Sequence, residues 1–351
     1  MSIFRKRKLK RISSKAGMIF AALFVFLLTG CGSEEEALII EPVKEEERLL
    51  VFTSHKEEIY KPIIEEFEDR TGIWVDVEYY GTTEALERIR ENYGEFTCDV
   101  MFGGGIESYN AYSEYFMEYE AEGLSYVKAS DKSVSNTWTP FSELPIVIIY
   151  NKKIVNKNQA PKGFGDLFDE KWQGSIAYAD PLTSGSSVTI LSTLMQLMPG
   201  SEKEIIESFV NQLDGNILSS SSNVTETVSQ GTFLVGITLE ENALKAKAQG
   251  KNIAIVYPEE GTSAVPDAAA IVKCCKHEEN AKAFIDFIIS EDVQREISEN
   301  MYRRTVRTDV EDALGAPEFQ IFNYNVDTAT KKREFIMSTW TDLTVTEVEN
   351  E

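Results

Sequence analysis

Three strand-like runs, Leu49-Leu50-Val51-Phe52, Ile73 to Tyr80 and Asp99-Val100-Met101-Phe102, alternate with two segments of helical spacing. That alternation restricts the fold more than any other feature. Glu57 to Arg70 sets Ile59, Ile63, Ile64 and Phe67 on one helical face and stops at Thr71-Gly72, and Leu86 and Ile89 mark the second helix. Strand, helix, strand, helix, strand is the pattern of an α/β fold with a parallel sheet. Each strand ends in a polar or glycine-rich turn, and in open α/β sheets such carboxyl ends line the ligand crevice. Ser54, His55, Thr82, Thr83 and Gly104 are therefore expected to face one place. The competing readings are a surface histidine at His55 and a merely flexible turn at Gly103 to Gly105, although glycines there also let a ligand approach the backbone.

The architecture repeats further along. Pro145 to Tyr150 is the most apolar strand, Ile176 to Ala179 a shorter one, Glu202 to Leu213 an amphipathic helix, and Phe233 to Ile237 a strand running into Thr238-Leu239-Glu240-Glu241. These read as a second lobe. Between them lies Thr183-Ser184-Gly185-Ser186-Ser187-Val188-Thr189, a hydroxyl-rich turn before the apolar run Ile190 to Met198. A helix starting there presents unpaired N–H groups and about half a positive charge, which makes an anion site without Lys or Arg. The bland alternative is a helix cap, which needs just one hydroxyl. Ser184, Gly185, Ser186 and Ser187 are the binding candidates from this lobe, with Thr238, Glu240 and Glu241 at the far end of a ligand.

Residues 5–15 carry seven Lys or Arg and no acid, and Gly17 to Leu28 is apolar but short for a membrane span. Residues 1–30 are expected to be a signal peptide and 31–48 an acidic tether. Loss of the signal takes the net charge from −23 to −30, which argues against nucleic acid as a partner. Cys98, Cys274 and Cys275 are expected to be reduced thiols, a Cys98 bridge to one of the pair being the alternative. With only His55 and His277 in the chain and no Cys-x-x-Cys, no metal site is expected. Arg303, Arg304 and Arg307 form the densest arginine cluster of the mature part, expected in surface ion pairs or against an anionic ligand.

Leu28-Thr29-Gly30-Cys31 resembles the lipobox of bacterial lipoproteins, which implies lipid on Cys31 and anchoring at the extracytoplasmic membrane face. Leu49 to Gly72, Asp99 to Gly105, Tyr150-Asn151-Lys152, Phe164 to Trp172, Asp180-Pro181 with Ser184-Gly185-Ser186, and Tyr257 to Asp267 stand in the order seen in extracellular solute-binding proteins of ABC importers. The chain is similar to the subgroup of ferric-iron, phosphonate and sugar-phosphate binders. The resemblance implies a type II periplasmic-binding-protein fold: two α/β lobes, each a mostly parallel sheet flanked by helices, joined by crossing hinge strands. The expected division is 49–145 with 260–351 for the first lobe and 146–259 for the second. It also implies a monomer without cofactor that hands its solute to a permease and ATPase complex, doing no chemistry on it.

Iron binders of this group carry an adjacent tyrosine pair where this chain has Thr238-Leu239-Glu240-Glu241, and Tyr79-Tyr80 lies in the first lobe. An organophosphate, sugar phosphate or phosphonate is the expected solute, with ferric iron as the alternative. A secreted serine hydrolase using Ser184 or Ser186 is disfavoured, because no Gly-x-Ser-x-Gly elbow surrounds them.

Overall fold

A computed structural model describes residues 44–345 apart from 316 and 318. The signal segment, Cys31 and residues 32–43 of the tether lie outside the described residues. The chain runs β1 (Arg48–Thr53), α1 (Glu57–Thr71), β2 (Trp74–Tyr79), α2 (Thr82–Glu91), β3 (Val100–Gly105), α3 (Ile106–Ala111) and β4 (Thr139–Asn151). It continues through β5 (Ile176–Ala177), α4 (Gly185–Leu197), α5 (Glu202–Leu213), α6 (Val224–Gln230), β6 (Val235–Leu239), α7 (Glu240–Ala248) and β7 (Ile253–Val256). It closes with β8 (Ala264–Ile271), α8 (Glu278–Ile288), α9 (Glu291–Asn300), β9 (Arg304–Thr305) and α10 (Val326–Thr344).

The expected strand–helix–strand order gives parallel pairs where helices cross over: β1 with β2, β1 with β3, and β5 with β6. Each sheet is mixed rather than mostly parallel, because the connecting strands enter against that direction. β8 runs antiparallel to both β3 and β4, and β4 antiparallel to β6 and β7. β4 is the shared member. Its residues Thr139 to Pro145 pair with β8, and Ile146 to Asn151 with β6 and β7, so β4 passes from one set of partners to the other between Pro145 and Ile146.

Side chains alternate across both sheets. In the first lobe Leu49, Val51 and Phe102 face α1 and α8 with Phe67 and Phe284, while Phe52 and Met101 face α2 and α3 with Leu86 and Tyr109. In the second, Ile146 and Ile148 meet Tyr178, Leu191 and Phe209, while Val147 and Ile149 meet Val224, Val228 and Ala243. The three described cysteines are free; Cys98 belongs to the α2 side of the first sheet and Cys275 packs on the other side.

One element departs from the expected division. α10 falls in the stretch assigned to the first lobe, yet its Ile336 and Trp340, both fully buried, complete the second-lobe core, where the Trp340 ring lies 5.6 Å from that of Tyr178. Its N-terminal half returns to the first lobe through Arg333, whose Nη2 donates to Thr83 Oγ1 at 2.8 Å. The helix spans the join.

Candidate functional site

A cavity of about 160 Å³ lies between the lobes, where the carboxyl ends of β1, β2 and β3 meet the turn before α4 and the start of α7. Of the residues expected from sequence, Ser54, His55, Thr82, Gly104, Ser184, Gly185, Ser186 and Glu241 line it. Thr83, Ser187, Thr238 and Glu240 do not. Thr83 is turned to Arg333, and Ser187 is buried in α4 with its carbonyl accepting from the Tyr178 hydroxyl at 2.6 Å. Thr238 is buried in β6, and Glu240 is committed to Arg304 and Tyr257.

Helix termini dominate this cavity. Ser184 occupies the N-cap position of α4 but makes no side-chain cap bond; its hydroxyl pairs with that of Ser186 at 3.1 Å. The Ser184 carbonyl takes the N–H groups of Ser187 and Val188 at 3.1 and 3.4 Å, and the N–H groups of Gly185 and Ser186 have no acceptor among the described residues. α2 starts opposite with Gly81 at its N-cap, also without a side-chain cap. The two termini nearly touch: a methyl built on Gly81 would lie 3.2 Å from the Thr183 carbonyl oxygen, and one on Gly185 would lie 3.1 Å from Thr82 Oγ1. Gly104 needs to be glycine on two counts, a φ of +98° and Thr82 Cγ2 only 2.4 Å from where a Cβ would stand. Orphan N–H groups with aligned peptide dipoles on both walls make a site for an anion.

The other end of the cavity is charged but balanced. Arg303 donates through Nη1 to Asp267 Oδ2 at 2.5 Å and pairs through Nη2 with Glu241 Oε2 at 2.7 Å, all three side chains being buried. Asp267 Oδ1 accepts from the N–H and hydroxyl of Ser142, both at 2.8 Å. Burial pushes the Asp267 carboxyl up, against the pull of Arg303. His55 Nε2 stands 3.4 Å from Asp267 Oδ2 without making a hydrogen bond. Burial first, and the charge of Arg303 second, hold this imidazole well below its ordinary pKa, so it is neutral at pH 7. Lys56 donates to Asn242 Oδ1 at 2.8 Å; burial lowers its pKa, while the Glu241 charge opposes that shift.

Lys56, Tyr79, Ser220, Ser221, Asn242 and Asp267 line the cavity without having been singled out for it, and Arg303, expected either in surface pairs or against an anionic ligand, lines it too. Most arrive by long-range pairing, which no local pattern encodes. The arginine cluster had a signal, three arginines in five residues, but the expected surface pairs are wrong: Arg303 and Arg307 are buried, Arg304 largely so, and each holds a carboxylate. No group of three or more His, Cys, Asp or Glu among the described residues is placed to hold a metal.

A family profile described as bacterial extracellular solute-binding protein matches residues 110–325. The chain is 25% identical over 296 residues to iron uptake protein A1 of Synechocystis sp., covering 80% of this chain and 81% of that one. It is 22% identical over 260 residues to a putative 2-aminoethylphosphonate-binding periplasmic protein of Salmonella typhi, covering 72% and 75%. Among solved structures it is similar to the periplasmic binding protein AfuA of Actinobacillus pleuropneumoniae with exogenous fructose-6-phosphate bound, at 22% identity and a TM-score of 0.77 over 85% and 98% of the two chains. It is also similar to a ferric binding protein of Campylobacter jejuni, at 18% identity and a TM-score of 0.76 over 84% and 99%.

Proposed function

Since the chain belongs to the family of bacterial extracellular solute-binding proteins, we propose that it captures a small anionic solute between its lobes and delivers it to the permease and ATPase of an ABC importer. The solute class is an organophosphate, sugar phosphate or phosphonate. One observation carries this reading: two helix N-termini without side-chain caps face each other across the cleft, with the hydroxyls of Ser184, Ser186 and Thr82 beside them. An oxyanion seated there accepts from neutral donors, and its charge is met by the dipoles of α2 and α4. Arg303 is already neutralised by two carboxylates and contributes no free charge.

Ferric iron is the competing solute, supported by relatives named for iron. A hard cation prefers several anionic oxygen ligands. Glu241 and Asp267, the two carboxylates at this cavity, are both held by Arg303, which disfavours it. Hydrolysis by Ser184 or Ser186 is disfavoured because, among the described residues, neither hydroxyl is hydrogen-bonded to a histidine or carboxylate that could act as its base; they bond each other. Capture does no chemistry on the solute.

Thermal shift of the purified protein with inorganic phosphate, sugar phosphates, phosphoglycerate, 2-aminoethylphosphonate and ferric citrate tests the assignment, because a ligand of the native state alone raises the melting temperature. A shift with one of the phosphorus compounds is expected; a shift with iron alone refutes it. Anchoring through lipid on Cys31 belongs to the same proposal, and Cys31→Ala should move the protein from the membrane fraction to the soluble one.

A further inference from the structure

Two consecutive arginines of the first lobe meet two consecutive glutamates of the second. Arg304 lies in β9, which pairs with the first-lobe part of β4, and Arg303 precedes it. Glu240 and Glu241 open α7, whose Ala243 and Ala246 pack in the second lobe. Arg304 forks onto one carboxylate, Nε to Glu240 Oε2 at 2.7 Å and Nη2 to Oε1 at 2.9 Å, while the Tyr257 hydroxyl donates to the same Oε1 at 2.5 Å. Arg303 spans from Asp267 to Glu241. The Glu240 side chain is 1% exposed and that of Arg304 15%. Further along α7, Asn242 accepts from Lys56 and Lys245 pairs with Glu58 of α1.

Charges taken out of water lose hydration comparable to what their pairing returns, so such pairs add little net stability but demand one geometry. Any motion of the lobes that breaks these bonds rehydrates all four. The arrangement is therefore poised near balance and specific in register, which suits a joint that opens and closes.

We infer that the two arginine–glutamate pairs form a cross-lobe latch that fixes the register in which the cleft closes, with Arg304 and Glu240 as positioning residues. Glu240 and Arg304 do not line the cavity, so changing them leaves the solute's own contacts in place. The affinity part of this inference rests on the capture reading above; the closure part does not.

The test compares Arg304→Gln, Glu240→Gln and the double variant with the natural protein. Small-angle X-ray scattering without solute reports closure, and calorimetry with the phosphorus compound found by thermal shift reports affinity. The double variant buries no lone charge, so it keeps the test valid if a single variant fails to fold. A larger radius of gyration in the folded variants is expected. If the closed fraction falls to about a tenth, apparent affinity falls ~10-fold. Scattering of the double variant identical to that of the natural protein overturns the latch. Altered scattering with no phosphorus compound bound by any of the proteins supports the latch and overturns the capture reading instead.

Discussion

Gly185→Ala separates closure from folding, because it acts on the two in opposite directions. Gly185 has no positive φ, so alanine fits its backbone, and the loss of unfolded-chain freedom stabilises the protein by about 0.4–1 kcal/mol. The added methyl, however, points across the cleft and would sit 3.1 Å from Thr82 Oγ1 and 3.3 Å from Thr82 Cβ. Thr82 is buried, and its Cβ is fixed to the backbone of α2, so relief requires the starts of α2 and α4 to move apart by a few tenths of an ångström. Overpacking of this kind costs about 1–3 kcal/mol. That cost falls on the closed form alone, and at 1.4 kcal/mol per tenfold it lowers affinity by roughly 5- to 150-fold. Calorimetry with the phosphorus compound identified by thermal shift measures the loss, and a thermal melt without solute should show stability kept or raised. Gly165→Ala is the control, since no atom lies within 4 Å of a methyl there and its φ is ordinary. If Gly185→Ala binds as tightly as Gly165→Ala, the starts of α2 and α4 do not close on one solute, and the reasoning fails.

Ser184→Ala with Ser186→Ala should cost about 0.5–1.5 kcal/mol of binding per lost hydrogen bond and leave the melting temperature near its starting value, because neither hydroxyl caps α4; calorimetry and a melt of the same variant check both halves. Trp340→Ala should lose about 3–5 kcal/mol in urea denaturation, the cost of emptying a fully buried indole site, and a loss under about 1 kcal/mol would mean that α10 does not complete the second-lobe core. Glu143, buried on β4 beside Asp131 and 2.8 Å from Lys128 Nζ, is pushed up to about 7, chiefly by burial. The native state then keeps a proton that the unfolded chain releases near its ordinary carboxylate pKa. Its contribution is complete below that value and is lost as pH rises through about 7, at a slope of at most ~1.4 kcal/mol per pH unit. Melts at about pH 5 and pH 8 should show the natural protein losing stability relative to Glu143→Gln across that interval; parallel curves would remove Glu143 from the account.

The elements that sequence made legible are those whose signal is local. β1, α1, β2 and β3 carry period-2 or helical spacing in unbroken runs, and their ends put Ser54, Thr82 and Gly104 at the cleft by topology alone. The hydroxyl turn was legible as a helix start, but only the geometry separated cap from open terminus, since that depends on whether Ser184 turns to its own helix or to Ser186. Hidden elements are those where charge is buried by a distant partner. The first half of β4 reads as polar through Ser142 and Glu143, yet it is buried between β8 and β9. α10 carries a helical stripe of Ala329, Arg333, Ile336 and Trp340, but the arginine in its middle breaks the apolar pattern by which such a helix is recognised. Lys56, Asp267 and Arg303 reach the cavity from sites far apart in sequence.

The contribution of α10 to the second-lobe core also bears on how the polypeptide is made. Tyr178, Leu191 and Phe209 are synthesised well over a hundred residues before the indole that fills the space among them. Until residues 326–344 have left the ribosome, the chain lacks the side chains that fill the space among those apolar walls. The middle of the protein therefore cannot mature in the order it is made, and chaperones that guard unfinished chains have the longest work to do there.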